Sequence, residues 1–260
     1  PDCLKEMRRQ AEDLDDIYYV YVIDNDSRLR GILPLKKMIT HPSVSKIKHV
    51  MEADPVSVKV DTPIDDVALD FEKYDLVAMP VIDSIGRLVG QITVDDVMDE
   101  VREQSERESM FIVNEWAASY FQHLMHDTAD GVAIGMQYFR SRGFRDDIVS
   151  KFQLGFDSTD RRALAQEALR KGYKEDFLLK TGICYKNDRG ELIDRYAGRV
   201  IFPWIGISGK VVGFGGRLLD SRTKGVNQKY VNSPDSEIYH KDRELYGIYQ
   251  AKKAIAKEDR

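Results

Sequence analysis

The sequence predicts an α+β protein built from two unlike domains. Three observations carry that reading: an internal repeat in the first hundred residues, a reversal of net charge near residue 110, and a passage from helical to strand-like patterning in the second half. The length of 260 residues agrees, since about 150 residues make a typical domain. With 42% hydrophobic and 32% charged residues, the chain is an ordinary globular one and not a disordered one. No 18 consecutive apolar residues occur, so no membrane span is expected. The start, Pro1-Asp2-Cys3-Leu4-Lys5, has neither the basic end nor the apolar core of a signal peptide. Cys3 and Cys184 stand far apart without a ligand-spaced partner, which supports neither a disulfide framework nor a zinc site. A reducing, cytoplasmic setting is the expectation.

The repeat appears when the chain is compared with itself at a shift of 59 residues. Val22-Ile23-Asp24 then meets Val81-Ile82-Asp83, and Arg28-Leu29 with Gly31 meets Arg87-Leu88 with Gly90. Each copy reads as strand, polar turn, strand, then a helix starting near Leu35 or Val94. Two such units can bury against each other the faces that neither covers alone, which predicts a pseudo-twofold pair.

The helix of the second copy opens Thr93-Val94-Asp95-Asp96, with Thr93 as N-cap and Asp96 three residues on. Acids then recur at Asp96, Asp99, Glu103 and Glu106, a spacing that lines carboxylates along one helical stripe. Such a stripe is either a solvated acidic face or, shared with a second acidic surface, a site for a hard divalent cation. Charge counts sharpen the contrast between the halves. Residues 1–110 hold 14 Lys+Arg and 24 Asp+Glu, or −10, while residues 111–260 hold 25 and 20, or +5, which sum to the net charge of −5. Different partners for the two halves follow, or else two unlike solvated surfaces.

The repeat, with Tyr18-Tyr19-Val20-Tyr21-Val22, Tyr74-Asp75-Leu76-Val77-Ala78-Met79-Pro80-Val81 and Ile92-Thr93-Val94-Asp95-Asp96-Val97, resembles the CBS-domain pair of MgtE-type magnesium transporters over about residues 10–108. The resemblance implies a homodimeric, magnesium-sensing module, with units of about 10–60 and 61–108. It also implies that Asp65, Asp75, Asp96 and Asp99 are metal-binding acids for Mg²⁺. Some CBS pairs bind adenine nucleotides, but no residue here singles out that ligand. The helical domain that precedes the pair in that family is reduced here to a terminal helix near Leu4–Leu14. The transporter's membrane helices do not follow, so no transport is expected of this chain.

After Glu108 a second domain, 109–260, begins on Met110-Phe111-Ile112-Val113-Asn114-Glu115-Trp116, whose helical spacing marks a core face. Helical patterns continue over 129–142, 145–152, 158–171 and 174–181, and strand-like runs occupy 199–203, 210–214 and 229–232. Gly213-Phe214-Gly215-Gly216-Arg217 interrupts one strand, and Lys229-Tyr230-Val231-Asn232-Ser233-Pro234 forms another. Cations with an aromatic ring beside close-approach glycines are the parts of a groove for single-stranded nucleic acid. The same parts make a bulged sheet with surface cations.

These segments, together with Tyr138-Phe139-Arg140-Ser141-Arg142-Gly143-Phe144, Phe152-Gln153-Leu154-Gly155-Phe156, Arg199-Val200-Ile201-Phe202-Pro203, Lys241 and Leu245-Tyr246-Gly247, resemble DnaG-type bacterial primases. The resemblance covers about 108–260 and corresponds to the N-terminal part of the RNA polymerase domain. It implies helices plus an antiparallel sheet that bind a single-stranded DNA template. Arg199, Lys229, Tyr230 and Asn232 match template-contacting positions, and Arg140, Arg142, Arg195 and Arg217 are further candidates. The family's nucleotidyl transfer uses metal ions on acids of a TOPRIM subdomain, expected to begin just after residue 260, and its zinc module is not matched. This chain alone is therefore expected to make no primer, and any contact with a replicative helicase would use regions outside it. The expected function is a primase fragment joined to a magnesium-sensing regulatory module; the alternative is a cytosolic Mg²⁺-sensing domain with no nucleic-acid role.

Overall fold

The computed structural model describes residues 5, 9, 18–42, 44–219 and 228–258. All but two residues of the helix expected near Leu4–Leu14 lie outside them. The chain divides into two compact units, 1–104 and 105–260.

In the first unit β1 (Tyr19–Ile23) pairs antiparallel with β2 (Leu29–Pro34), and α1 (Leu35–Thr40) follows. Next come β3 (Glu52–Ala53), β4 (Val58–Lys59) and α2 (Ile64–Tyr74), then β5 (Ala78–Ile82), β6 (Leu88–Thr93) and α3 (Val94–Asp127). The second hairpin reproduces the first at the 59-residue shift, end for end: 19 becomes 78, 29 becomes 88 and 35 becomes 94. One acid shapes each turn. Asp24 accepts from the amides of Asp26 and Arg28, both at 2.9 Å, and Asp83 accepts from those of Ile85 at 3.0 Å and Arg87 at 2.9 Å. These amides, first those of Arg28 and Arg87, hold both carboxyls below the usual aspartate range. The two turns also bond to each other, Leu29 N–H to Gly86 O at 3.1 Å and Leu88 N–H to Ser27 O at 2.9 Å, about a bridge between the equivalent residues Arg28 and Arg87. Val58, Val67, Phe71, Met79 and Val97 form the larger core, and Leu33, Met38 and Val50 a smaller one.

In the second unit the carboxyl-terminal part of α3 buries Met110, Val113, Ala117, Phe121 and Met125, spaced three or four apart. The apolar stripe is core, as its spacing predicts, although Ile112 remains exposed. A π-helical segment (Gly131–Met136), α4 (Gln137–Ser141), α5 (Asp146–Lys151), β7 (Gly155–Phe156), α6 (Ala163–Arg170) and α7 (Glu175–Lys180) follow. Then come a hairpin of β8 (Cys184–Lys186) and β9 (Leu192–Asp194), β10 (Arg199–Ile205), β11 (Val211–Leu218), β12 (Tyr230–Asn232) and α8 (Ile248–Glu258). The helix expected over 158–171 begins only at Ala163, where the buried carboxylate of Asp194 accepts from the amides of Leu164 at 2.8 Å and Ala165 at 2.9 Å. A cap supplied 30 residues away leaves no local sequence signal.

Strands β12, β11, β10 and β7 form an antiparallel sheet in that order. Alternation along β10 sends Ile201 and Ile205 into a core with Phe121, Leu164, Leu178 and Phe214. Val200 and Phe202 enter a second core on the other face with Met136, Phe139, Val149 and Phe156. Arg217 lies opposite Val200, and Tyr230 opposite Arg217, so this second face carries a cation and a ring at the edge of the sheet.

Candidate nucleic-acid interface

Arg142 sits where α4 ends. The turn closes with Phe144 N–H to Phe139 O and Gly143 N–H to Arg140 O, both at 3.0 Å, and Gly143 takes φ +81°, a conformation that favours glycine. The rings of Phe139 and Phe144 meet at 5.5 Å and lock the reversal. Tyr138 and Arg142 are four residues apart, hence neighbours on one helical face. The Arg142 guanidinium lies 5.7 Å from the Tyr138 ring centre.

On the sheet side the Arg217 guanidinium lies 4.9 Å from the Tyr138 ring and 5.7 Å from the Tyr230 ring. Lys229 Nζ lies 5.7 Å from the Tyr230 ring. A run of alternating charge and aromatic face results: Arg142, Tyr138, Arg217, Tyr230, Lys229. Arg140, Arg145 and Arg170 behave differently, each pairing with an acid: Asp146 at 2.8 Å, Asp147 at 2.6 Å and Glu167 at 2.7 Å. Among the described residues no carboxylate pairs with Arg142, Arg217 or Lys229. Among the described residues nothing neutralises these charges, since a cation–π contact is worth only about 0.5–2 kcal/mol and leaves the charge in place.

Next to this run lies an open trough of about 700 Å³, lined by Arg195, Lys229, Tyr230, Asn232, Pro234 and Lys241 among others. Tyr230 is 64% exposed, enough to offer a ring face to a base. Arg195 Nε donates to the Gly182 carbonyl, and its guanidinium lies 5.6 Å from the Tyr185 ring.

The eight cation, ring and amide positions expected from the sequence thus separate. Arg142, Arg217, Tyr230 and Lys229 come together in the alternating run, and Arg195 and Asn232 line the trough beside it. Arg140 is taken up by Asp146. Arg199 is the clear departure: it is 3% exposed and lies on the sheet face opposite Arg217. Its guanidinium donates to Ala197 O at 3.2 Å and Gln228 O at 2.9 Å, and burial pulls its pKa below the usual arginine value. It fixes the approach to β12 from beneath. The glycine run serves the same packing, because a Cβ on Gly216 would stand 2.7 Å from the Tyr196 ring and 2.8 Å from Arg199 Cδ. Tyr138 and Lys241 stand in segments that the sequence marks, yet no role attaches to them there. The i, i+4 spacing of Tyr138 and Arg142 was the available signal.

The acids of the first unit are also placed. Asp65 lies in the first turn of α2 and Asp75 caps its end with φ 51°. Asp96 forms a capping box: its carboxylate accepts from Thr93 Oγ1 at 2.5 Å, and its amide donates back to that hydroxyl at 3.3 Å. Asp99 pairs with Arg102 at 3.1 Å, and Glu106 is bound to Lys180 at 2.5 Å, which takes it out of the acidic stripe. Among the described residues no three His, Cys, Asp or Glu side chains come together to hold a metal ion. In a single copy of the chain these four aspartates do not fit a Mg²⁺ site. Among the described residues no helix is long and apolar enough to cross a membrane.

A family model for the N-terminal domain of the DNA primase catalytic core matches residues 120–252, more than half of the chain, and includes the whole run from Tyr138 to Lys241. The chain belongs to the DNA primase catalytic-core family. A CBS-domain model matches residues 47–103. The DNA primase of Halalkalibacterium halodurans is 32% identical over 179 residues, which cover 68% of this chain and 29% of that protein. The solved DnaG primase catalytic domain bound to single-stranded DNA is 28% identical at a TM-score of 0.52, covering 58% of this chain and 47% of the other. The cytosolic domain of the Mg²⁺ channel MgtE in complex with ATP is 41% identical, covering 38% of this chain and 40% of that one, at a TM-score of 0.37. The chain therefore spans less than a third of the primase relative and under half of the primase domain. What this primase-family chain contributes is the sheet and helices that carry the cationic, aromatic run.

Proposed function

We propose that the second unit grips single-stranded DNA as the template-binding part of a primase that makes RNA primers. The observation that carries this is the alternation of Arg142, Tyr138, Arg217, Tyr230 and Lys229, whose cations hold rings and, among the described residues, no acid. Guanidinium and ammonium groups neutralise successive phosphates, while Tyr230 and Asn232 face the trough where a base can stack and hydrogen-bond. Every base has a π face, so such binding tolerates sequence, as a template groove must. No residue described here is assigned to the nucleotidyl-transfer step.

The test is fluorescence anisotropy of a labelled single-stranded oligonucleotide. Binding is expected to weaken steeply with added salt, and Lys229→Ala and Tyr230→Ala each to lose about five- to tenfold. Affinity that ignores salt, or two variants that bind like the parent, would refute the reading.

A second reading concerns the first unit alone: its acids take Mg²⁺ between two copies, as a regulatory CBS module. Two exposed apolar side chains support this. Leu69, 60% exposed, shares a face of α2 with Asp65, and Met98, 55% exposed, adjoins Asp99 on α3. Exposed apolar groups suit a contact between copies, and carboxylates beside them supply the oxygen ligands that a hard cation takes.

A further inference from the structure

We propose that Tyr138 is a positioning residue for the bound strand, one ring that sets two guanidiniums, Arg142 and Arg217, at the spacing at which they clamp the phosphate backbone. The proposal rests on the single-strand reading of the site and adds to it a group that touches no phosphate itself.

Tyr138 is half-buried in α4 and packs on the core of Phe139 and Phe202, so its ring is fixed by packing and not by ligand. Arg142 approaches it from one turn along the helix at 5.7 Å, and Arg217 from the sheet at 4.9 Å. These are two unlike elements, and the ring is what the two side chains have in common. Without it each long side chain would be freer to sample its rotamers. An aromatic face attracts both guanidiniums without consuming their charge. Arg217 is then held a second time, by Tyr230 at 5.7 Å. A guanidinium can also lay its plane on a ring, which an ammonium group cannot.

The test uses the full chain, labelled oligo(dT) and a salt series. Tyr138→Leu is expected to weaken binding about tenfold and to flatten the plot of log affinity against log salt by roughly 0.7–1.4, the share of one or two phosphates. Tyr138→Phe, which keeps the ring, should restore both quantities to within about twofold. Adding Arg217→Ala to Tyr138→Leu should cost little more than either change alone, since the two act as one unit. Should Tyr138→Leu fail to fold, Arg217→Lys reads the same point away from the core: charge is kept, the stack is lost, and about fivefold weaker binding is expected. Parent-like affinity and slope in Tyr138→Leu, or parent-like affinity in Arg217→Lys, overturns the proposal while a Lys229→Ala defect leaves the site itself standing. A parent chain that does not bind oligo(dT) at low salt overturns both.

Discussion

Asp194 is a carboxylate that serves structure at a cost in charge. It is 3% exposed, caps α6 with two amide contacts, and burial nevertheless lifts its pKa to about 7, against the pull of those amides. Asp157, buried nearby, shifts upward for the same reason and further because of the charge on Asp194. Both groups bind protons in the folded chain at pH values where the unfolded chain has released them. For Asp194 the stability from this source therefore falls as pH rises between about 4 and 7, at up to ~1.4 kcal/mol per pH unit, and Asp157 acts in the same direction. The exposed acids with lowered pKa, such as Asp146 beside Arg140 and Asp147 beside Arg145, act in the opposite sense and only as pH falls towards their own range. The thermal midpoint should accordingly be higher at pH 5.5 than at pH 7.5, and Asp194→Asn should reduce that difference. A parent midpoint that climbs over this interval, or a variant with unchanged pH dependence, would contradict the assignment. Asp194 and Arg199 also mark a limit of sequence reading. Each is a charged residue whose partners lie in distant segments, amides of 164 and 165 for one and the carbonyl of Gln228 for the other. Residue type alone makes both look like surface chemistry.

At the scale of elements, signals internal to a segment were legible and those supplied from elsewhere were not. The 59-residue repeat, the helix starts at Leu35 and Val94, and the strands of residues 199–203, 210–214 and 229–232 rest on periodicity and turn chemistry within the segment, and the structure places elements there. The hairpin of β8 and β9 carries no such signal: three residues per strand are too few for alternation to register, and Asn187 builds its turn by accepting from the amides of Arg189 at 3.0 Å and Glu191 at 2.9 Å. The capping box at the start of α3 is a local signal of the legible kind. Removing its carboxylate exposes two donors at a helix start, so Asp96→Ala should lower stability by about 1 kcal/mol in urea unfolding. Asp95→Ala, one position away, should stay within about 0.5 kcal/mol. Equal effects of the two would mean that the box contributes nothing beyond charge at the helix terminus.

Over the whole molecule the charge divides into −10 on residues 1–110 and +5 on 111–260, which suits the two proposed partners, a cation for the first part and a polyanion for the second. The nucleic-acid side of that division stands on groups already gathered in a single copy. The cation side does not, since Asp65, Asp75, Asp96 and Asp99 form no cluster and two of them are engaged, by Thr93 and Arg102. On the regulatory reading proposed above, Mg²⁺ acts where two copies meet, with carboxylates from both sides supplying its ligands. It follows that the response should depend on protein concentration and on the identity of the cation, not on ionic strength. In sedimentation velocity, a few millimolar Mg²⁺ should move the chain to a larger species than NaCl of equal ionic strength does, and Asp65→Asn with Asp99→Asn should abolish the difference. The same double substitution should leave affinity for single-stranded oligonucleotide unchanged, because none of the cations in the alternating run is touched. Identical sedimentation in the two salts would remove the magnesium role from the acidic unit and leave the nucleic-acid interface unaffected.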